Sequence, residues 1–249
     1  MPIKKRLDLL IVERGLAASR QRAQAYIMAG KVLVDDQRIE KPGTAVLEDA
    51  SITIKEDDAA YVSRGGYKLE AALKALEFKV DGLVCLDVGA STGGFTDCLL
   101  KHGAHRVYAL DVGYGQLAWQ LRQDPRVITI ERTNIRYLSD NQLPEPVDLV
   151  TIDTSFISLK IVVPSVRRFL KPNGRVLALI KPQFEVGKGK VGKGGVVKDA
   201  EHHSEVIRDL SAFFQNLGFA CGPVVPSPIL GPKGNREFII LLLVNNTVL

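Results

Sequence analysis

The 249-residue chain reads as an α/β protein, a doubly wound and mostly parallel sheet preceded by a small α+β domain. Three observations predict this. Short apolar runs recur from residue 83 onward, each separated from the next by a helical or loop stretch. The first run, 83–87, is a buried parallel strand by composition, ends in Asp87, and passes through Gly89, Gly93 and Gly94 into a helix. Ahead of these runs, an acidic stretch and a break at 59–63 set apart the first 58 residues.

Taken in order, residues 6–14 form a short helix with Leu7, Leu10 and Ile11 on one face, ended by Gly15. Ser19 is placed to cap a second helix over 20–29, which Gly30 ends. Residues 32–34 are a strand, 35–37 a turn and 46–54 a further strand. Past the linker, Leu69, Leu73 and Leu76 give an amphipathic helix over 67–78. Strand 83–87 and a helix over 95–101 follow, then strands at 107–111, 127–130, 147–153, 176–181 and 238–244. The expected organisation is a domain at 1–58, a linker at 59–63 and a second domain at 64–249.

Net charge is +5, which suits an anionic partner. Residues 1–47 carry nine Lys and Arg against five acids, whereas 48–58 carry one Lys against five acids. The small domain is therefore polarised. Arg6, Arg20, Arg22 and Lys31 would face phosphates, unless they are simply solvated helix faces. Three scattered cysteines fit neither a disulfide framework nor a zinc site, so no metal and a reducing cytoplasm are expected. The basic start is cut by Asp8 and Glu13 and is no signal peptide. The most apolar run, 238–244, is far short of the ~20 residues a membrane helix needs.

Asp87, Asp111 and Asp153 close three strands, and an open parallel sheet binds ligands at the carboxyl ends of its strands. Asp111, 24 residues after Asp87, is placed for the two hydroxyls of a ribose, and Asn134 for an adenine edge. Gly89-x-x-x-Gly93-Gly94 misses a dinucleotide fingerprint by one residue. Residues 187–194 imitate a phosphate-binding loop but end in Gly194 where Ser or Thr is needed. They read as a basic loop whose Lys188, Lys190 and Lys193 could close on RNA phosphates.

These residues carry a resemblance. The two helices and small sheet, with Arg6-Leu7-Asp8, Ser19-Arg20-Gln21-Arg22-Ala23 and Gly30-Lys31-Val32-Leu33-Val34, resemble the S4 RNA-binding module over about the first 55 residues. Asp87-Val88-Gly89-Ala90-Ser91-Thr92-Gly93-Gly94-Phe95-Thr96 looks like the S-adenosylmethionine motif of the FtsJ-like ribose methyltransferases. Those enzymes carry a Lys-Asp-Lys-Glu tetrad, which matches Lys68, Asp153, Lys181 and Glu237 here. The whole chain resembles the TlyA, or hemolysin A, family. Where stand-alone ribose methyltransferases usually have Pro-Gly-Gly-Trp, this chain has Thr92-Gly93-Gly94-Phe95.

The resemblance implies a Rossmann-like methyltransferase that uses S-adenosylmethionine on a ribose 2′-hydroxyl of ribosomal RNA, free or in a ribosomal subunit. The cofactor would meet Asp87, Gly89, Ala90, Ser91, Thr92, Gly93, Gly94, Phe95, Asp111, Asn134 and Asp153. A ribose hydroxyl is a weak acid, and a lysine takes its proton only when neutral, a form that burial and a second ammonium favour. Lys181 is assigned as base, Lys68 as charge partner, and Asp153 and Glu237 as orienters. Two other classes stay open: a non-catalytic RNA-binding or ribosome-assembly factor, and a cytolysin, for which no long apolar segment speaks.

Overall fold

A computed structural model describes residues 3–28, 30–54, 60–187, 189, 191–192 and 194–244. Lys188, Lys190 and Lys193 lie outside the described residues. The chain divides into two compact units, 1–58 and 59–249.

The first unit contains β1 (Lys4–Arg6), α1 (Leu7–Glu13), α2 (Arg20–Met28), β2 (Val32–Val34), β3 (Gln37–Arg38), β4 (Ala45–Leu47) and β5 (Ile52–Ile54). Antiparallel β1 and β4 form one pair, and β3, β2 and β5 form a three-stranded sheet. Leu7, Leu10, Ile11, Ala23, Ile27 and Val32 make its core. Two elements depart from expectation. Residues 4–6 are a strand although all are basic, because an edge strand needs only backbone pairing and tolerates charge. Residues 46–54 are two strands in two sheets, broken by a turn in which Ala50 N–H donates to the Leu47 carbonyl.

The second unit runs α3 (Gly65–Ala75), β6 (Val84–Val88), α4 (Gly94–Lys101), β7 (Arg106–Leu110), α5 (Trp119–Arg122), β8 (Val127–Ile130), β9 (Val147–Ile152), α6 (Leu159–Val166), β10 (Leu170–Ile180), α7 (Pro182–Glu185), α8 (Ala200–Asn216), β11 (Phe219–Pro226) and β12 (Phe238–Val244). Its seven-stranded sheet has the order β11-β12-β10-β9-β6-β7-β8. The five strands from β10 to β8 are parallel, and β12 is antiparallel to both neighbours. Alternation along the strands feeds two cores. Leu86, Val88, Val150, Ile152 and Val176 face α6 and α8, whereas Cys85, Leu149 and Leu177 face α3 and α4.

Strand β11 was not legible because Gly222-Pro223 interrupts its apolar pattern, and the pairing with β12 shifts register there. The chain builds β6, β7 and β8 outward, then returns to lay β9 on the other side of β6. The carboxyl ends of β6 and β9 are therefore a topological switch point, where open α/β sheets bind their ligands.

Candidate active site

The turn after β6 is shaped by what it must pass. Gly89 has φ +86, and a Cβ there would stand 2.6 Å from the Asp153 carbonyl oxygen. Only glycine lets the ends of β6 and β9 come this close. The Gly89 and Ala90 amides donate to the Leu110 carbonyl at 2.9 and 3.0 Å, tying the turn to β7. Gly93, at φ +98, packs against Leu117 and Leu121. A Cβ on Gly94 would come within 3.1 Å of the Gly65 Cα and 2.9 Å of the Gly66 nitrogen, so the glycine-rich starts of α3 and α4 nest together.

Lys68, on the first turns of α3, and Lys181, at the end of β10, are both buried. Each faces its own carboxylate. Lys68 Nζ donates to Glu237 Oε2 at 2.5 Å, and Lys181 Nζ lies 2.6 Å from Asp153 Oδ1. Lys181 Nζ also donates to Ser155 Oγ at 2.9 Å. Asp153 Oδ1 is close enough for ion pairing but not aligned for a hydrogen bond, and Glu237 Oε1 has no hydrogen-bond partner among the described residues. Lys68, Asp153 and Lys181 line one cavity of about 460 Å³ with Arg64, Gly94 and Phe95. Glu237 stands behind its wall: a Cβ on Gly231, another lining residue, would sit 2.0 Å from Glu237 Oε1.

A second cavity, about 530 Å³, shares Gly89, Ser91, Asp153 and Ser155 with the first and is closed by Asp111 and Asn134. Asp111 accepts from the Ser91 and Gly113 amides, both at 2.7 Å, which fixes its carboxylate and leaves lone pairs for two hydroxyls. Asn134 Oδ1 caps a 3₁₀ turn by accepting from the Arg136 amide at 3.1 Å, so its amide group is what remains to meet a base edge.

Other expected residues stand differently. Asp87 is fully buried and lines neither cavity; it accepts from Thr96 Oγ1 at 2.7 Å and Thr151 Oγ1 at 2.9 Å. It therefore braces the strand-to-helix turn instead of touching a cofactor, and burial raises its carboxyl to about 6. Thr92 and Gly93 also lie outside both linings. In the first unit, Arg6 and Arg20 hold the buried Asp8, at 3.0 and 2.9 Å, while their own side chains stay about half exposed. Arg22 and Lys31 instead flank the Tyr26 ring, at 5.1 and 5.9 Å.

Sequence reading missed Ser63, Arg64, Leu230 and Gly231, which come from loops, and Ser155, whose signal was its place two residues after Asp153. Arg64 Nη2 donates to the Leu230 carbonyl at 2.6 Å and so ties the start of α3 to the loop before Glu237.

Comparison with known proteins identifies the family. An FtsJ-like methyltransferase model matches residues 61–243, and an S4 domain model matches residues 5–52. The 16S/23S rRNA (cytidine-2′-O)-methyltransferase TlyA of Mycobacterium tuberculosis (strain ATCC 25618 / H37Rv) is 48% identical over 97% of this chain and 91% of its own length. Hemolysin A of Brachyspira hyodysenteriae is 39% identical over 94% and 98%. A solved structure from Streptococcus thermophilus that carries a provisional hemolysin name is 40% identical, with a TM-score of 0.76 over 99% of this chain and 90% of that one.

Proposed function

The chain belongs to the TlyA family, an S4 domain joined to an FtsJ-like methyltransferase domain, and from that premise we propose that it methylates a ribose 2′-hydroxyl of ribosomal RNA. The methyl donor of this reading is S-adenosylmethionine. Its nucleoside would lie against Asp111 and Asn134, and its methionine end along the Gly89–Ser91 backbone. When bound, it supplies an electrophilic methyl group.

The observation that carries the reading is the meeting of two lysine–carboxylate pairs, buried Lys68–Glu237 and partly buried Lys181–Asp153, at one cavity at the switch point. Burying such pairs is costly unless their geometry is good, and it leaves no stability reason to keep an oxygen unpartnered. Lys181 Nζ takes the 2′-proton as the oxygen attacks. Ser155 Oγ accepts a hydrogen bond from that nitrogen, and Asp153 stands beside it as an ion-pair partner. Lys68, fixed by Glu237, presents a second positive charge to the developing oxyanion. Positioning of hydroxyl and methyl supplies the remainder of the rate. The arginines and lysines of the S4 domain would dock the RNA, and a substrate of this kind implies an intracellular, cytoplasmic site of action. The cytolysin class suggested by one relative's name draws no support from the helices: none among the described residues is long and apolar enough to cross a membrane.

Lys181→Arg tests the role of the base. Arginine keeps the charge but does not deprotonate in a protein. Single-turnover methyl transfer should fall by about 10²–10⁴ in Lys181→Arg as in Lys181→Ala, the usual contribution of a general base. Substantial rescue by Arg would remove the base role and leave an electrostatic one.

A further inference from the structure

A third cavity, about 670 Å³, opens on the other side of Leu230, the residue it shares with the tetrad cavity. Its polar lining is cationic: Lys198, Lys233 and Arg236, with His203 behind them. None of the three charged groups pairs with a carboxylate among the described residues, whereas Arg6, Arg20, Arg38, Arg106, Arg122 and Arg126 each do. Unpaired like charges gathered in one concavity repel each other and gain only when an anion enters.

The frame under these charges is built and rigid. Asn235 is buried; its Oδ1 accepts from the Val197 amide and its Nδ2 donates to the Gly195 carbonyl, both at 3.0 Å. The His203 ring donates from Nε2 to the Val197 carbonyl at 2.9 Å. The Gly231 amide donates to the Asn235 carbonyl at 2.8 Å, closing the turn that leads to Glu237. Alternation through this stretch turns Asn235 and Glu237 inward and exposes Arg236. Lys233 sits at φ +62, a left-handed conformation that favours glycine. A non-glycine residue held there against its preference points to a functional side chain.

We propose that this cavity is a phosphate subsite: it holds the phosphodiester of an RNA nucleotide flanking the one whose ribose lies at Lys68 and Lys181. The inference rests on the RNA-methyltransferase reading and adds to it a second anchoring point. Arg236 supplies a planar fork suited to phosphate oxygens, and the lysines supply point charges. Such contacts set the register of the strand without reading its bases. Because Leu230 separates this cavity from the tetrad cavity, fixing the flanking phosphate fixes where the target ribose stands.

The test uses the full chain and unmethylated ribosomal RNA, with binding followed over a range of salt concentration. In the triple variant Lys198→Gln, Lys233→Gln, Arg236→Gln, the slope of log affinity against log salt should flatten by about 0.7, the contribution of one neutralised single-strand phosphate. KM for RNA should rise about tenfold or more, with kcat at saturating RNA and the affinity for S-adenosylmethionine little changed. Lys233→Gly relieves the left-handed backbone, so it should melt no lower than the parent while still weakening RNA binding. An unchanged salt slope in the triple variant overturns the subsite, as does a collapse of kcat at unchanged KM. Competition by inorganic phosphate at constant ionic strength, present in the parent and lost in the triple variant, would assign the cavity to a free anion and overturn the proposal as well. Methyl transfer by the parent enzyme tests the underlying reading separately: an active parent with an unaffected triple variant sinks the subsite alone.

Discussion

Asp8 in the small unit and Glu237 in the large one are both buried carboxylates facing cations, but only one has spent its hydrogen-bonding capacity. Asp8 accepts from Arg6 on both oxygens, and its Oδ2 also accepts from Arg20 and Gln24, at 2.9–3.0 Å. Glu237 accepts from Lys68 on one oxygen, and the other, beside Gly231, has no hydrogen-bond partner among the described residues. The arginines around Asp8 are about half exposed, so the charge is shared with water, whereas Lys68 and Glu237 are buried together. A saturated acid is a staple. An acid left with spare capacity behind a cavity wall is costly to bury, and under the proposed mechanism that cost goes to fixing Lys68.

The contrast can be broken from the Glu237 side first. Glu237→Gln removes the negative charge from under Lys68 and should lower single-turnover methyl transfer by about 10³, within the range of electrostatic and proton-handling groups. The same change at Asp8 should leave turnover on a saturating RNA nearly untouched. Gly231→Ala is subtler. Its Cβ would meet Glu237 Oε1 at 2.0 Å, so the carboxylate must shift, and a displacement of about 1 Å is worth about 10² in rate. Wild-type activity in Gly231→Ala would mean that the position of Glu237 is not critical. Asp111→Ala should reduce calorimetric affinity for S-adenosylmethionine by about tenfold or more, the value of a lost charge-assisted hydrogen bond. Unchanged affinity there would move the nucleoside away from the second cavity.

The smallest effect is on stability, and it has opposite signs at two acids. The Arg6 guanidinium holds the Asp8 carboxyl well below its usual range, so its contribution is fully present above pH ~4 and is lost as pH falls further. Burial raises Asp87 to about 6, so the folded state holds a proton that the unfolded state has released. Stability therefore falls as pH rises from about 4 to about 6, by up to about 3 kcal/mol. Urea unfolding of Asp87→Asn should be flat across that window, and Asp8→Asn should flatten only the acid limb. A slope in Asp87→Asn equal to the parent's would place the titration elsewhere.

Legibility followed the range of the interactions involved. The parallel strands were readable because burial on both faces writes a mostly apolar run, as in residues 83–88 and 147–152, where only Asp87, Asp148 and Thr151 are polar. The pattern failed where pairing overrides composition, at basic β1 and at Gly222-Pro223 within β11. Lys68, Asp153, Lys181 and Glu237 were found at strand and helix ends through their match to a family motif. Gly231, Leu230 and Arg64 carry no such mark, since their nearness to Glu237 and Lys68 is decided by loops folding over the sheet. At Arg6 and Arg20 the sequence displays the cations but not that both also hold Asp8, a contact set by how the first two helices pack.

The central claim is that the Lys68–Glu237 and Lys181–Asp153 pairs serve methylation of a ribose hydroxyl. Its most direct test is to incubate the purified chain with unmethylated ribosomal RNA and methyl-labelled S-adenosylmethionine, then hydrolyse the RNA in alkali. A 2′-O-methyl group blocks cleavage at its own phosphodiester, so label should remain in an alkali-resistant dinucleotide, and Lys181→Ala should yield none. Label released in mononucleotides would place the methyl on a base, and equal labelling by Lys181→Ala would take the chemistry away from the tetrad; either result would contradict the account.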